Sequence, residues 1–568
     1  MEKIKTFFRL FSKKEKVALK VACFCLVIGF IIGLLSFYFS HTSVQPAEGG
    51  KFIEGIVGKV SSLNPIIVSP EEPAWDIIEI VYNGILKPDK SKGFVCDLCE
   101  KIETSKDLRE WKVFLKKNVF WQDGEQFDSE DVLFTIEKIL DEKINSPFYW
   151  NWEGVVVKCL DSYTIEFYLK NPYPFFEESL ALLKIIPKHI WSKIDAQNYY
   201  LSEYNLLPIG TGPYVVKSYQ KTNKGKIIGF SLNRNQNYFN KAPYLKEVDF
   251  RFYENFEDAI KALSQGKIKS LGNLSPFDFK KPFYGKRKLE IKTPRFFLVF
   301  LNPELNPIFK DKRVRKALFF ATNKKEIVKK IGLEEDNFSN TPFFEEMEGY
   351  SKKFKSDFFD LEKARKILNE DGFKDLDSDG VLEKEVLDTD KENKEKKTLK
   401  LEFELVLPQS DILFQVANIL KEEWQKAGFK VNLRTLDVEQ LSEEISQRNF
   451  ESLLFGQMLT LKPDLFSFWH SSQIFEPGQN ISLYEDQEID EVLEKIREGI
   501  TKEERMKWYN KFQELFIEKV PGIYLFWYPY FWIVPKNVKG IEVKSLNFAF
   551  ERFNNITLWY EKTTRRKK

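Results

Sequence analysis

The rhythm of apolar and polar positions changes abruptly near residue 20. "MEKIKTFFRLFSKKEKVALK" is rich in Lys and Arg, and "VACFCLVIGFIIGLLSFYFS" follows without a charge. An uncharged run of that length can cross a hydrocarbon core of about 30 Å as a helix. Positive charge ahead of it predicts residues 1–20 in the cytoplasm, residues 21–40 as a transmembrane anchor and the body outside. A cleaved signal has a shorter apolar region, about 7–15 residues, so an uncleaved anchor is the preferred reading. Cys23 and Cys25 lie early in the apolar run, the wrong place for lipid attachment. Residues 41–51, with Pro46 and Gly49-Gly50, read as a tether.

Beyond the tether two periods alternate. "KFIEGIVGKVSSLNPII" predicts a first strand, and "AWDIIEIVYNGIL" a helix with Trp75, Ile78, Val81 and Tyr82 on one face. "REWKVFLKKNVFWQDGEQF" predicts two strands joined at Lys-Lys-Asn, with a second turn at Asp123-Gly124. "DSEDVLFTIEKIL" predicts a helix capped by Asp128 or Ser129, and "VVVKCLDSYTIEFYLK" a pair of strands. Further strands are predicted in "KGKIIGFSLNRNQNYF", "YLKEVDFRFY" and "FFLVFLN". "NFEDAIKALSQGKI" and "LEKARKILNEDG" read as helices closed by Gly266 and Gly372, and "DKRVRKALFFATNKKEIVKKI" as a pair of amphipathic helices. "LKLEFELVLP", "ILFQVANILKEEWQKAG" and "FKVNLRTLD" form a strand–helix–strand unit, which predicts a parallel pair with a right-handed crossover. The charged "EKEVLDTDKENKEKK" predicts an exposed loop. Strands and helices alternate over the whole body, so the fold class is mixed α/β.

Composition narrows the chemistry. The chain has 87 basic and 85 acidic residues, and its basic clusters sit at the two ends, which argues against a nucleic-acid partner. Its 53 Phe, 22 Tyr and 12 Trp can fill several cores and still line a cleft. Three histidines, His41, His189 and His470, show no metal-binding spacing. "CDLC" at Cys96 and Cys99 lacks a second cysteine pair, so a local disulfide or incidental use is preferred to half a zinc site; Cys159 is left over. "DLDSDG" places Asp375, Asp377 and Asp379 as the opening of a candidate calcium loop. Val386 stands where the twelfth-position Glu belongs, Glu383 or Glu385 could substitute, and a solvated acidic turn is the preferred reading.

"IGTGPYVVKSY" at 209–219 raises the question of a phosphate loop. Gly210 and Gly212 are one residue apart, no Lys-Ser or Lys-Thr follows them, and Pro213 has no N–H for an anion. Nothing in the chain points positively to catalysis.

Read together, several blocks resemble the extracytoplasmic solute-binding proteins of family 5, the oligopeptide-, dipeptide- and nickel-binding components of ABC importers. "NVFWQDGEQFDSEDVLFTIEKI" resembles the family's W-x-D-G-x-x-F block. "YTIEFYLKNPYPFFEESLALLKIIPKHIW", "PIGTGPYVVKSY", "NRNQNYFNKAPYLKEVDFRFY", "FFLVFLNPELNPIFKDKRVRKALFFATNKKEIV", "ILNEDGFKDLDSDG" and "KPDLFSFWHSSQ" follow in family order. The resemblance spans about residues 52–560. It implies a two-lobed fold of the type II periplasmic-binding-protein kind with three domains, here preceded by the N-terminal transmembrane helix. Domain I would combine 52–75, 206–299 and 536–560; domain II would be the insertion 76–205; domain III would be 300–535; and 561–568 would be a basic tail.

The resemblance further implies a peptide, or a similar solute, held between the lobes and delivered to the permease subunits of an ABC importer, without enzymatic activity or a cofactor. Ligand-lining candidates on this reading are Asn83, Trp121, Tyr149, Trp152, Asn302, Gln457, Asp464 and Trp469, with the aromatic run 525–532 beside them. An acid that holds the peptide amine in relatives falls near Lys462, which puts amine anchoring in doubt and leaves Asp464 as the substitute. Alternatives on the same fold are an anchored ligand sensor or chaperone, and a binder of nickel or haem-type ligands, which the scarcity of histidine disfavours. "GTGP" would then mark the bend where the chain leaves the insertion and re-enters domain I.

Overall fold

A computed structural model describes residues 12–89, 93–387 and 396–567. The apolar run forms the helix Lys13–His41, none of whose residues is buried, with Ser12 and Glu15 closing a reciprocal cap at its N-terminus. The strand Thr42–Ala47 leaves this helix and pairs antiparallel with Lys562–Lys567, so the basic tail is a strand held against the tether. Arg565 lies over the Phe39 ring at 4.2 Å and donates to the Thr42 hydroxyl at 2.9 Å.

The body is built on three larger sheets. Seven strands, from one edge to the other Lys286–Ile291, Tyr530–Pro535, Ser270–Leu271, Lys51–Val57, Glu247–Tyr253, Ile227–Arg234 and Tyr214–Lys221, make the first. Five strands, Lys430–Leu436, Glu402–Pro408, Ser452–Met458, Arg295–Leu301 and Gly522–Trp527, make the second. Four antiparallel strands, Cys99–Thr104, Glu110–Leu115, Thr164–Tyr168 and Val156–Asp161, make the third, which lies wholly within the expected insertion. Two boundaries differ from expectation. Arg295–Leu301 already belongs to the five-stranded sheet, and Tyr530–Pro535 has returned to the seven-stranded one.

The strand–helix–strand unit is present as Glu402–Pro408, Asp411–Lys426 and Lys430–Leu436, its strands parallel from Glu402 opposite Lys430 to Pro408 opposite Leu436. The helix is amphipathic because Leu413, Val416, Ala417, Leu420 and Trp424 recur on one face and bury it. The charged segment after Glu383 departs from the expected loop. Glu383–Leu387 and Lys396–Lys400 form an antiparallel hairpin, whose residues 388–395 lie outside the described ones. The expected strand after Lys-Lys-Asn shrinks to a single bridge between Phe120 and Gln126. Cys96 and Cys99 are joined by a disulfide, and Cys159 is free.

The GTGP block is a junction. Gly212 donates to the Val81 carbonyl at 2.8 Å, and Thr211 donates to Asn83 Oδ1 at 2.9 Å. Gln122, of the W-Q-D-G turn, donates to the Tyr214 carbonyl at 2.8 Å and accepts from the Gly210 amide at 3.1 Å. A Cβ on Gly210 would stand 1.9 Å from the Val81 oxygen, and one on Gly212 2.5 Å from it. Both positions exclude a side chain because backbone meets backbone there. The strand Tyr214–Lys221 then enters the edge of the seven-stranded sheet.

Candidate functional site

A cavity of about 380 Å³ lies where the seven- and five-stranded sheets face each other. One wall is formed by Gly55–Val57, Gly272, Asn273 and Tyr530, and another by Thr293, Arg295 and Gly456–Met458. Asp76 and the segment 548–552, with Arg552, close a third, and the Pro70–Pro73 loop brings Glu71 and Glu72 to it. The volume falls within the roughly 300–1,000 Å³ usual for small-molecule sites.

Beneath this wall is a buried charge network. Arg552 donates through Nη1 to Asp76 Oδ1 at 2.6 Å and through Nη2 to Glu54 Oε1 at 3.3 Å. Trp532 Nε1 donates to Glu54 Oε1 at 3.1 Å. Glu54 is wholly buried, and that burial, partly offset by Arg552, pushes its carboxyl up from 4.5 to about 7. The neighbouring Glu551 is pushed to about 7 by the same cause.

The lobes also touch beyond the cavity, where the 173–178 segment of the insertion meets 460–464 of the five-stranded lobe. Lys462 Nζ donates to the Pro174 carbonyl at 2.5 Å, and Tyr173 donates to Asp464 Oδ2 at 3.2 Å. Arg497 holds Asp464 through Nη2 at 2.7 Å and Nε at 3.0 Å. Phe175, from the insertion, joins the apolar cluster of Phe300, Leu465 and Trp469. Burial pushes Glu178, at the same contact, up to about 8.

The candidates named from sequence sit as follows. Gln457 lines the cavity; its Oε1 accepts from the Tyr524 hydroxyl, while its Nε2 is buried without a partner. Asp464 is engaged by Arg497 and Tyr173, and Lys462 by Pro174, so both serve the contact between lobes. Trp121 is buried and donates to Asp131 at 3.1 Å; burial pushes that carboxyl to about 6. Asn83 binds Asp97 at 2.6 Å and accepts from Thr211. Trp152 packs on Phe167 and Phe176 in the core of the insertion, with Tyr149 three residues before it on the same short helix. Asn302 caps the end of its strand, accepting from the Glu304 amide at 3.0 Å and donating to the Arg448 carbonyl at 3.1 Å. Trp469 is buried against Phe300, Phe516 and Tyr524. Of the aromatic run 525–532, Tyr530 lines the cavity.

Asp375, Asp377, Asp379 and Glu383 each bring one carboxylate oxygen within 4.8 Å of the others, so Glu383 is an acid that joins the three aspartates. Lys400 from the paired strand donates to Asp377 at 2.8 Å and to Asp379 at 3.5 Å, supplying counter-charge to the cluster. The histidines lie elsewhere: His189 is 2.7 Å from Asp123, and His470 stacks on Phe466.

Sequence reasoning did not single out Asp76, Asn273, Arg295, Phe548, Phe550 or Arg552. One signal was visible: Arg295 is the sole charge on an otherwise apolar strand, RFFLVFL.

Comparison with known proteins gives a consistent result. The family described as "Bacterial extracellular solute-binding proteins, family 5 Middle" matches residues 93–474. The chain is similar to the oligopeptide-binding protein AppA of Bacillus subtilis, at 25% identity over 96% of this chain and 99% of that one. Its structure resembles NikZ of Campylobacter jejuni in complex with Ni(L-His), with a TM-score of 0.73 at 27% identity over 90% and 99% of the two chains. It also resembles AppA of Bacillus subtilis in complex with a nonapeptide, with a TM-score of 0.72 at 24% identity over 91% and 99%.

Proposed function

The chain belongs to the bacterial extracellular solute-binding proteins of family 5, and from that premise we propose that its body captures short peptides outside the cell and delivers them to an ABC importer. The observation that carries this reading is the cavity of about 380 Å³ between two sheets whose lobes already meet at 173–178 and 460–464. The chain passes between the two sheets at 291–295 and again at 527–530; paired crossings of this kind can act as a hinge, and closure is a signal a permease can read. The similarity to AppA supports a peptide, and the similarity to NikZ keeps a metal chelate as the second ligand class.

We further propose that the helix Lys13–His41 remains as a single membrane-spanning anchor. Its apolar surface, none of it buried, supports this, as does the antiparallel clasp of Thr42–Ala47 by Lys562–Lys567, which ties the tether to the far end of the chain. The reading is one of capture without catalysis.

The test is to incubate the detergent-solubilised chain with a mixed peptide pool and with nickel–histidine, wash it, denature it and identify what is released by mass spectrometry. Intact peptides released near one per chain are expected. Release of nickel–histidine alone would move the ligand class, and accumulation of cleaved peptides would contradict capture without catalysis.

A further inference from the structure

We propose that Arg295 is the docking point for the terminal carboxylate of a short peptide; this deepens the reading above and rests on it. Arg295 opens the central strand Arg295–Leu301 and faces the cavity half-buried. Its guanidinium lies over the Tyr528 ring at 4.6 Å and reaches Asn273 Oδ1 only at 3.5 Å. Its Nε is buried with no hydrogen-bond partner, and among the described residues no carboxylate pairs with it.

The remaining charges of the wall are accounted for differently. Arg552 also has a buried Nε without a partner, but its terminal nitrogens pair with Asp76 in a double hydrogen bond and reach Glu54, so its charge is already compensated within the chain. A guanidinium stays ionised even where burial opposes it, and leaving it without a counter-ion is costly. The described residues supply no anion to complete it, and that place suits a ligand. A second donor without a partner, Gln457 Nε2, belongs to a lining residue on the adjacent strand, where Gln457 stands opposite Phe296. Donors without acceptors suit a carboxylate, whose two oxygens match the planar guanidinium fork. Glu71 and Glu72 also line the cavity and would complement the ammonium end of the same ligand. The charge pattern therefore fits a zwitterionic peptide better than a polyanion.

The experiment uses two pools of random tri- to pentapeptides built from uncharged residues, one with free C-terminal carboxylates and one with C-terminal amides. Each is offered to the detergent-solubilised full chain, to Arg295→Gln and to Arg295→Lys, and retained peptide is counted. The native chain is expected to retain the acid pool about 10- to 100-fold better than the amide pool, the range of a charge-assisted hydrogen bond. Arg295→Gln should lose that preference while still retaining amides, which also shows that it is folded; Arg295→Lys should keep part of it. Equal retention of both pools by the native chain, or an acid preference that survives in Arg295→Gln, overturns the carboxylate contact and leaves peptide capture standing. Retention of neither pool overturns both.

Discussion

Replacing Glu54 by Gln should flatten the pH dependence of stability. Glu54 is 0% exposed, beside Arg552 and Trp532, and its carboxyl titrates near 7 in the folded chain against an ordinary 4.5. Below pH 4.5 both the folded and the unfolded chain hold the proton. Between 4.5 and 7 the unfolded chain releases it and the folded chain keeps it, so stability falls as pH rises through this window and levels off above it. The gap corresponds to about 3 kcal/mol. Glutamine keeps the shape and an acceptor for Trp532 and has no proton to lose. Glu551, Glu178 and Asp131, also pushed upward, add their own slopes equally to both proteins, so the difference between variant and native isolates Glu54. Urea unfolding of the detergent-solubilised chain, followed by tryptophan fluorescence at pH 4 and pH 8, reads it. The native chain should lose about 3 kcal/mol more than Glu54→Gln between those two values. An identical loss in both proteins would refute the assignment of a buried, late-titrating carboxyl at this position.

Three further outcomes are expected. Gly212→Ala sets a methyl group 2.5 Å from the Val81 carbonyl and should cost about 3 kcal/mol, measured by the same unfolding assay. The pair Tyr173→Phe and Lys462→Met removes two hydrogen bonds between the lobes without touching the cavity, about 2 kcal/mol together. The particle should widen in small-angle scattering, and affinity for captured peptide should fall by up to about 30-fold, because the closed state becomes less populated. Lys400 already neutralises part of the acidic cluster, so EDTA should leave the native melting temperature unchanged; Lys400→Gln should gain stability from millimolar calcium, and a scan with and without the ion decides it.

The fold was largely legible because its signals are local. Period-3.6 and period-2 runs with caps such as Asp128 and Asn255 and breakers such as Gly266 and Gly428 report elements directly. The site was not, because the family blocks are mostly structural. Gln122 and Thr211 belong to two conspicuous motifs, and the structure uses them, with Asn83, to knit the insertion to the edge of the seven-stranded sheet, while Trp121 bonds Asp131 inside the insertion. Asp464 carries charge in a plausible place, and Arg497, 33 residues further on, takes it. Residues that do line the cavity come from chain segments as distant as Gly55, Asn273, Arg295, Gln457 and Arg552, and no spacing rule connects them. The hairpin at Glu383–Leu387 and Lys396–Lys400 was hidden because its lysines and glutamates mask the weak alternation of an exposed strand pair.

The most direct test of the central claim is hydrogen exchange on the full chain with and without captured peptide, read at peptide-segment resolution. The account predicts added protection at the Pro70–Pro73 loop, at Gly272–Asn273 and at 548–552, together with the lobe contact at 173–178 and 460–464. Protection confined to the surroundings of Trp121 and Trp152, with none at the cavity, would contradict it.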